Sequence, residues 1–249
     1  MDNKYDYKLG KVTENIKVSD GIYRMTVEGD FKGRPGQFYM LRSWDKEPLL
    51  WRPISIHSVL DNGIEFLYQT VGDGTKLLSQ LQKDQELKLI GPLGNGFNIQ
   101  ELKGRVALVA GGIGIAPMRY LAEELRRKDD VNVDLLAGFR DEIFGLEEIK
   151  ESGADISIAT ETGKYGYKGY VTELLNPEKY DMVLCCGPEI MMFKVVEMCR
   201  AAGVKGYISE EKKMACGIGA CLVCTCKTKK GNKRTCKDGP VFSMEEIEI

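Results

Sequence analysis

The chain has 249 residues, 43% of them hydrophobic, with 35 Lys and Arg against 37 Asp and Glu and a formal net charge of -2. That length exceeds the usual single-domain size, so two compact domains and a small appendage are expected. Charges of both signs are interspersed, which speaks against a nucleic-acid or anionic-membrane partner. The stretch from Met1 to Lys8 lacks the apolar centre of a signal peptide, and no apolar run approaches the roughly 18 residues of a spanning helix. A soluble, cytoplasmic protein is expected.

From about Val12 to Leu89 the pattern favours short strands. Tyr23, Met25 and Val27 alternate with Arg24, Thr26 and Glu28; Phe38 to Leu41 follows a turn at Gly33 to Gly36; and Ile64, Phe66 and Tyr68 alternate again. Such strands, punctuated by Gly and Pro, predict an antiparallel barrel or sandwich. Gly72 to Thr75 opens a helix expected to run through Leu81, and the turn-rich Gly91 to Gly96 closes this first domain, placed at 1–100.

A different rhythm follows. Val106 to Ala110 is wholly apolar, Gly111-Gly-Ile-Gly-Ile-Ala-Pro117 comes next, and Met118, Leu121 and Leu125 recur at helical spacing with Pro117 suited to a first turn. This is strand, glycine turn, helix. The alternation continues through Val133 to Ala137, Ile156 to Ala159, Met182 to Cys186 and a helix over Glu189 to Ala202 ending at Gly203, predicting a parallel α/β domain over 101–208. A third, small domain is expected over 209–249, so the fold class is α+β multidomain.

Five of the eight cysteines fall between Cys216 and Cys236. Four residues separate Cys216 from Cys221, two separate Cys221 from Cys224, and eleven separate Cys224 from Cys236. That is the plant-type ligand spacing of a 2Fe-2S cluster, whereas zinc knuckles use two separated Cys-x-x-Cys pairs. Gly217 and Gly219 suit a loop with unusual backbone angles, and Cys226 is expected to be a packed free thiol. Because such a cluster accepts one electron at a time, the rest of the chain must deliver or remove single electrons.

Gly112-x-Gly114-x-x-Pro117 after a buried strand is a phosphate-binding turn in the right context, and Cys186-Gly187-Pro188 at the end of a later strand strengthens it. Upstream, Arg52 can pair with a phosphate, Tyr68 can cover a flat ring, and Gly74 with Thr75 can offer N–H groups. A salt-bridged Arg and an ordinary helix cap at a barrel edge would look the same. The solitary His57 is expected to be a packed or a surface residue, and no Ser-His or Cys-His dyad is evident, so no catalytic side chain is expected.

In this order the pieces resemble the ferredoxin-reductase superfamily: a barrel with Arg52-Pro53-Ile54-Ser55, then Gly111 to Pro117 and Cys186 to Pro188. The Cys-rich tail, Tyr68-Gln-Thr-Val-Gly-Asp-Gly-Thr75 and Met214-Ala-Cys-Gly-Ile-Gly-Ala-Cys221 narrow the resemblance to electron-transfer subunits of NAD-linked dihydroorotate dehydrogenases, class 1B. The resemblance implies FAD on the barrel, NAD on the second domain and a 2Fe-2S cluster in the tail. That cluster would face a separate FMN-bearing catalytic subunit, in a heterotetramer with two copies of each chain. It implies that Arg52, Pro53, Ile54 and Ser55 hold the flavin phosphate and ring edge, that Leu67, Tyr68 and Gln69 line the flavin, and that Gly74 and Thr75 bind its pyrophosphate. Gly111, Gly112, Gly114, Pro117, Cys186, Gly187 and Pro188 would bind NAD, and Cys216, Cys221, Cys224 and Cys236 would ligate iron.

Electrons from dihydroorotate, in pyrimidine biosynthesis, would then pass singly through the cluster to FAD and leave as hydride to NAD. Asp141 and Glu142, after the second strand of that domain, favour NAD over NADP, although Arg140 argues the other way. Two other readings stand beside this one. The chain could be the flavin and 2Fe-2S subunit of an NAD(P)-linked ferredoxin oxidoreductase or sulfide dehydrogenase, or a non-catalytic nucleotide- or zinc-binding scaffold.

Overall fold

A computed structural model describes residues 6–151 and 153–249. The N-terminal strands β1 (Asp6–Ser19), β2 (Ile22–Glu28), β3 (Phe38–Arg42), β4 (Arg52–Leu60), β5 (Gly63–Gln69) and β6 (Glu86–Leu93) close into a barrel of order β1-β2-β5-β4-β3-β6. Every pairing is antiparallel, and the β1–β6 pair removes the open edge. The inward residues, among them Val12, Met25, Val27, Ile56, Ile64 and Phe66, are fully buried.

Helix α1 (Asp73–Ser79) bridges β5 and β6. It stops short of the expected Leu81, because the N–H of Gln80 turns back to the Leu77 carbonyl and caps the last turn. A second expectation is corrected at Gly91 and Pro92, which belong to β6 and not to a closing turn. Gly91 pairs with Asp6, and a Cβ there would come within 2.4 Å of the Tyr39 ring, so the strand needs glycine for packing.

The second unit is a sheet of β7 (Gly104–Gly111), β8 (Val131–Phe139), β9 (Asp155–Thr160), β10 (Tyr167–Lys168), β11 (Met182–Cys186) and β12 (Lys205–Ser209), all parallel. Its helices are α2 (Ala116–Arg126), α3 (Glu147–Glu151) and α4 (Glu189–Ala202), the last ending at Gly203 with φ 68°. Beyond β12 come a hairpin of β13 (Thr225–Thr228) and β14 (Gly231–Arg234), then β15 (Val241–Ser243), which returns antiparallel to β12. The tail also reaches the barrel: Asn95 donates its N–H to the Gly239 carbonyl, and Phe38, Met40 and Leu93 pack with Cys224 and Cys236.

Helix α2 is pinned to the barrel by polar contacts. Ser58 Oγ donates to Glu123 at 2.8 Å, Tyr120 to the Gly33 carbonyl at 2.9 Å, and Arg119 pairs with Glu65 at 2.5 Å and Glu123 at 2.9 Å. His57 Nδ1 meets the Ala116 carbonyl at 2.7 Å, so Nδ1 carries the hydrogen. Burial pushes the imidazole down to about 4, outweighing the bond to Ala116.

The sign of the resulting pH dependence follows. Between the ordinary histidine value of 6.5 and about 4, the unfolded chain binds a proton that the folded chain refuses. The neutral-ring contribution is therefore complete above the upper value and is lost as pH falls. Urea unfolding at pH 7 and pH 5 should show wild type losing about 2 kcal/mol more than His57→Asn on acidification. Equal losses would mean that His57 titrates normally in the folded protein.

Candidate functional site

A cavity of about 340 Å3 opens where the barrel, the start of α2 and the segment after β12 meet. β4 contributes Arg52, Pro53, Ile54 and Ser55, β5 contributes Leu67, Tyr68 and Gln69, and α1 contributes Thr75. Ile113 and Ala116 enter from the glycine turn.

The Arg52 guanidinium is fixed on three sides. It donates to the Leu50 carbonyl, stacks over the Trp44 ring at 5.5 Å, and lies so close to Gly74 that a Cβ there would come within 2.3 Å of its Nε. Gly74 is therefore the residue that lets a cation rest on the start of α1. The Thr75 hydroxyl is committed locally, accepting from the N–H groups of Val71 and Gly72 and donating to the Gly72 carbonyl. Tyr68 lines the cavity with its ring stacked on Tyr23 at 6.0 Å and its hydroxyl donated to Asn15 at 3.0 Å, so it cannot swing.

The third wall, Ser209 to Lys212 with Met214, went unnoticed in the sequence because Glu210-Glu-Lys-Lys213 reads as a solvated charge run. Here Glu210 is only 4% exposed. Burial holds its carboxyl above the usual range, opposed by Lys212, whose Nζ bridges Glu210 at 2.9 Å and Glu189 at 2.5 Å.

The three glycines of the turn do different work. A Cβ on Gly114 would come within 2.3 Å of the Cys186 carbonyl oxygen, and one on Gly111 within 2.8 Å of Pro188. Both therefore serve close packing against Cys186 to Pro188, which brings the two sequence motifs together. Gly112, with φ 53° and nothing within 4 Å of a Cβ, is the one that leaves its backbone open. Pro117 is buried in the first turn of α2. Gly187 takes φ 153° against the Gly111 backbone. The alternation of β11 separates its cysteines: Cys186 faces the Ile115 and Ala116 side and meets the Ser209 hydroxyl, whereas Cys185 faces Val195 and Cys199.

The four cysteines expected to hold iron stand as two pairs, Cys216 beside Cys221 and Cys224 beside Cys236. Although burial acts against it, the N–H groups of Cys221, Ile218 and Ala220 hold the Cys216 thiol down at about 6. Two of those bonds are 3.4 Å and 3.3 Å long, from Cys221 and Ala220, and Cys236 N–H donates to Cys224 Sγ at 3.4 Å. Gly217 and Gly219 have φ 71° and 82°, and even Leu222 is held at φ 61°. Among the described residues no three His, Cys, Asp or Glu side chains are placed to hold a metal ion. Paired thiols, N–H groups aimed at sulfur and a loop bent by positive φ fit the donor set of a dinuclear iron-sulfur cluster. Cys226 is buried.

The iron-sulfur cluster binding domain of dihydroorotate dehydrogenase B matches residues 211–248. The chain is 56% identical over 244 residues to the electron transfer subunit of dihydroorotate dehydrogenase B (NAD(+)) from Clostridium acetobutylicum, covering 98% of each chain. Against the subunit of the same name from Clostridium perfringens it is 55% identical over 245 residues, covering 98% of this chain and 99% of the relative. Among solved structures, a chain of an NADH-dependent reduced ferredoxin-NADP oxidoreductase superposes with TM-score 0.87 at 27% identity, covering 97% of this chain and 90% of that one. The ferredoxin reductase in carbazole 1,9a-dioxygenase shares the fold over 80% of this chain and 67% of its own, with TM-score 0.69 and 20% identity.

The barrel and parallel sheet, extended by an iron-sulfur domain, define an oxidoreductase of ferredoxin-reductase-like fold. The chain belongs to the electron transfer subunits of dihydroorotate dehydrogenase B (NAD(+)). It therefore transfers electrons in an NAD-linked system beside a catalytic partner subunit, which displaces the ferredoxin-oxidoreductase and scaffold readings. Among the described residues no helix is long and apolar enough to cross a membrane.

Gly114→Ala forces a methyl group onto a backbone carbonyl and should cost about 2 kcal/mol. Gly112→Ala meets only its own φ and should cost about 1 kcal/mol. Urea denaturation of the two variants checks the order; a reversal would contradict the packing role of Gly114.

Proposed function

We propose that FAD occupies the cavity of about 340 Å3, that NAD docks on Gly111 to Pro117 and Cys186 to Pro188, and that Cys216, Cys221, Cys224 and Cys236 hold a 2Fe-2S cluster. One observation carries this reading. Met214 lines the cavity and also packs in one apolar cluster with Cys224 and Cys236, so cavity and thiols adjoin directly.

The chain's own residues divide the task. Arg52, resting on Gly74, neutralises phosphate charge at the start of α1. Pro53 to Ser55 and Leu67 to Gln69 form a wall along which a flat ring can lie. Gly112 leaves room beside its backbone for a dinucleotide, while Cys186, kept neutral by burial, backs the turn from beneath through its contact with Gly114. Glu210 holds its proton more readily than an ordinary carboxyl, which places a weak acid in the same wall. The position of Asp141, whose carboxylate accepts from Thr162 and keeps its charge, supports NAD over NADP because a fixed carboxylate repels a 2'-phosphate, whereas Glu142 is neutralised by Lys164. Bound in this cavity, FAD supplies the exchange between hydride transfer with NAD and single-electron transfer with the cluster.

The partner is an FMN-bearing dihydroorotate dehydrogenase subunit, assembled as two copies of each chain. Eight unpaired cysteines suit the reducing cytoplasm.

Arg52→Ala should lower bound FAD per purified chain at least tenfold, read from the visible spectrum after dialysis. Unchanged flavin content would remove Arg52 from the site. In a separate test, Cys221→Ala should abolish cluster absorption and dihydroorotate-driven reduction with the partner present, while NADH still reduces a dye. Loss of dye reduction with flavin retained would contradict the placement of the cluster on the partner side of FAD.

A further inference from the structure

His57 is the only histidine in the chain, and it belongs to neither proposed cofactor site. It lies two residues after Ser55 on β4, the strand whose first residues wall the cavity. Its ring is buried, with Nδ1 at 2.7 Å from the carbonyl of Ala116. Ala116 is the first residue of α2 and lines the cavity itself, directly after the turn Gly112–Ile115.

The other fasteners of α2, at Arg119, Tyr120 and Glu123, act further along the helix. Among the described residues no other barrel side chain hydrogen-bonds to residues 111–117. One strand thus carries both the barrel wall of the cavity and the bond that holds the opposing turn. A carbonyl has two lone pairs, so Ala116 can accept from His57 and still serve its helix.

We infer that His57 is a positioning residue for the dinucleotide: its Nδ1–H, given to Ala116 across the domain boundary, fixes the glycine turn relative to the cavity. The inference rests on the reading that Gly111 to Pro117 takes NAD. It assigns His57 no proton transfer and no contact with either cofactor.

Two substitutions separate the bond from the bulk of the ring. In His57→Asn the amide nitrogen stands where Nδ1 stood, whereas in His57→Gln it is one carbon further out. NAD+ titration calorimetry on the FAD-loaded protein should show His57→Gln weakened about tenfold and His57→Asn within about twofold of wild type. KM for NADH in dye reduction should follow, with kcat moving less than about twofold. Without nucleotide, amide exchange over residues 112–116 should accelerate in His57→Gln only.

Equal affinity and exchange in the two variants would overturn the inference, leaving NAD binding itself intact. Absence of NAD+ binding in wild type would instead overturn the reading on which it rests. Should His57→Gln not fold, nitrogen-15 labelling of the single histidine decides in wild type: a neutral ring protonated at Nδ1 supports the inference, and one protonated at Nε2 contradicts it.

Discussion

The pinning of α2 to β4 and β5 sets where the glycine turn meets the barrel, and the cavity exists only because that meeting is fixed. Its walls come from chain segments more than a hundred residues apart, so small rotations between barrel and sheet would open or crush it. Arg119 and Glu65 are each about a tenth exposed in their side chains. Buried pairs of this kind repay their desolvation only when geometry is good, so their clearest consequence is to select one orientation. Ser58, Tyr120 and His57 add directional bonds along the same seam. Activity that depends on bringing a nicotinamide to a flavin within contact distance needs this kind of rigidity more than it needs an acid or base.

The same economy governs the tail. After β12 the chain crosses the cavity as Ser209 to Met214 and enters the cysteine loop without an intervening linker. β15 then returns to β12, and Asn95 ties the tail to the end of β6. The tail is therefore held by both larger units. Cys221 is exposed whereas Cys224 and Cys236 are buried, so one thiol pair faces inward toward Met214 and the barrel, and the other reaches the surface. A cluster held by these thiols would thereby reach both the cavity side and the surface.

Much of this was legible in the sequence because local patterns and the tertiary structure agree. Met25 and Val27 alternate because they fill a barrel; Glu189 to Ala202 reads as a helix with Gly203 behind it because left-handed φ ends it there. The cysteine spacing and the Gly112-x-Gly114 turn are equally local. What escaped was set at long range. Glu210 to Lys212 look solvated until β12 carries them across a cavity. Gly91 and Pro92 look like a turn until Tyr39 demands a bare backbone beside it. Gly114 carries no mark that its missing side chain makes room for the Cys186 carbonyl, and His57 none that its partner is the carbonyl of Ala116 at the start of α2. Spacing along a chain shows which chemistry is present; it does not show which residues from distant segments share a wall.

The central claim, that one chain couples a flavin cavity to an iron-sulfur loop, is tested most directly by an anaerobic visible spectrum of the purified protein before and after NADH, with flavin, iron and zinc quantified. The account predicts about one FAD and about two irons per chain, with flavin and cluster absorption both bleached by NADH. Zinc without flavin, or a flavin that NADH does not reduce, would contradict it.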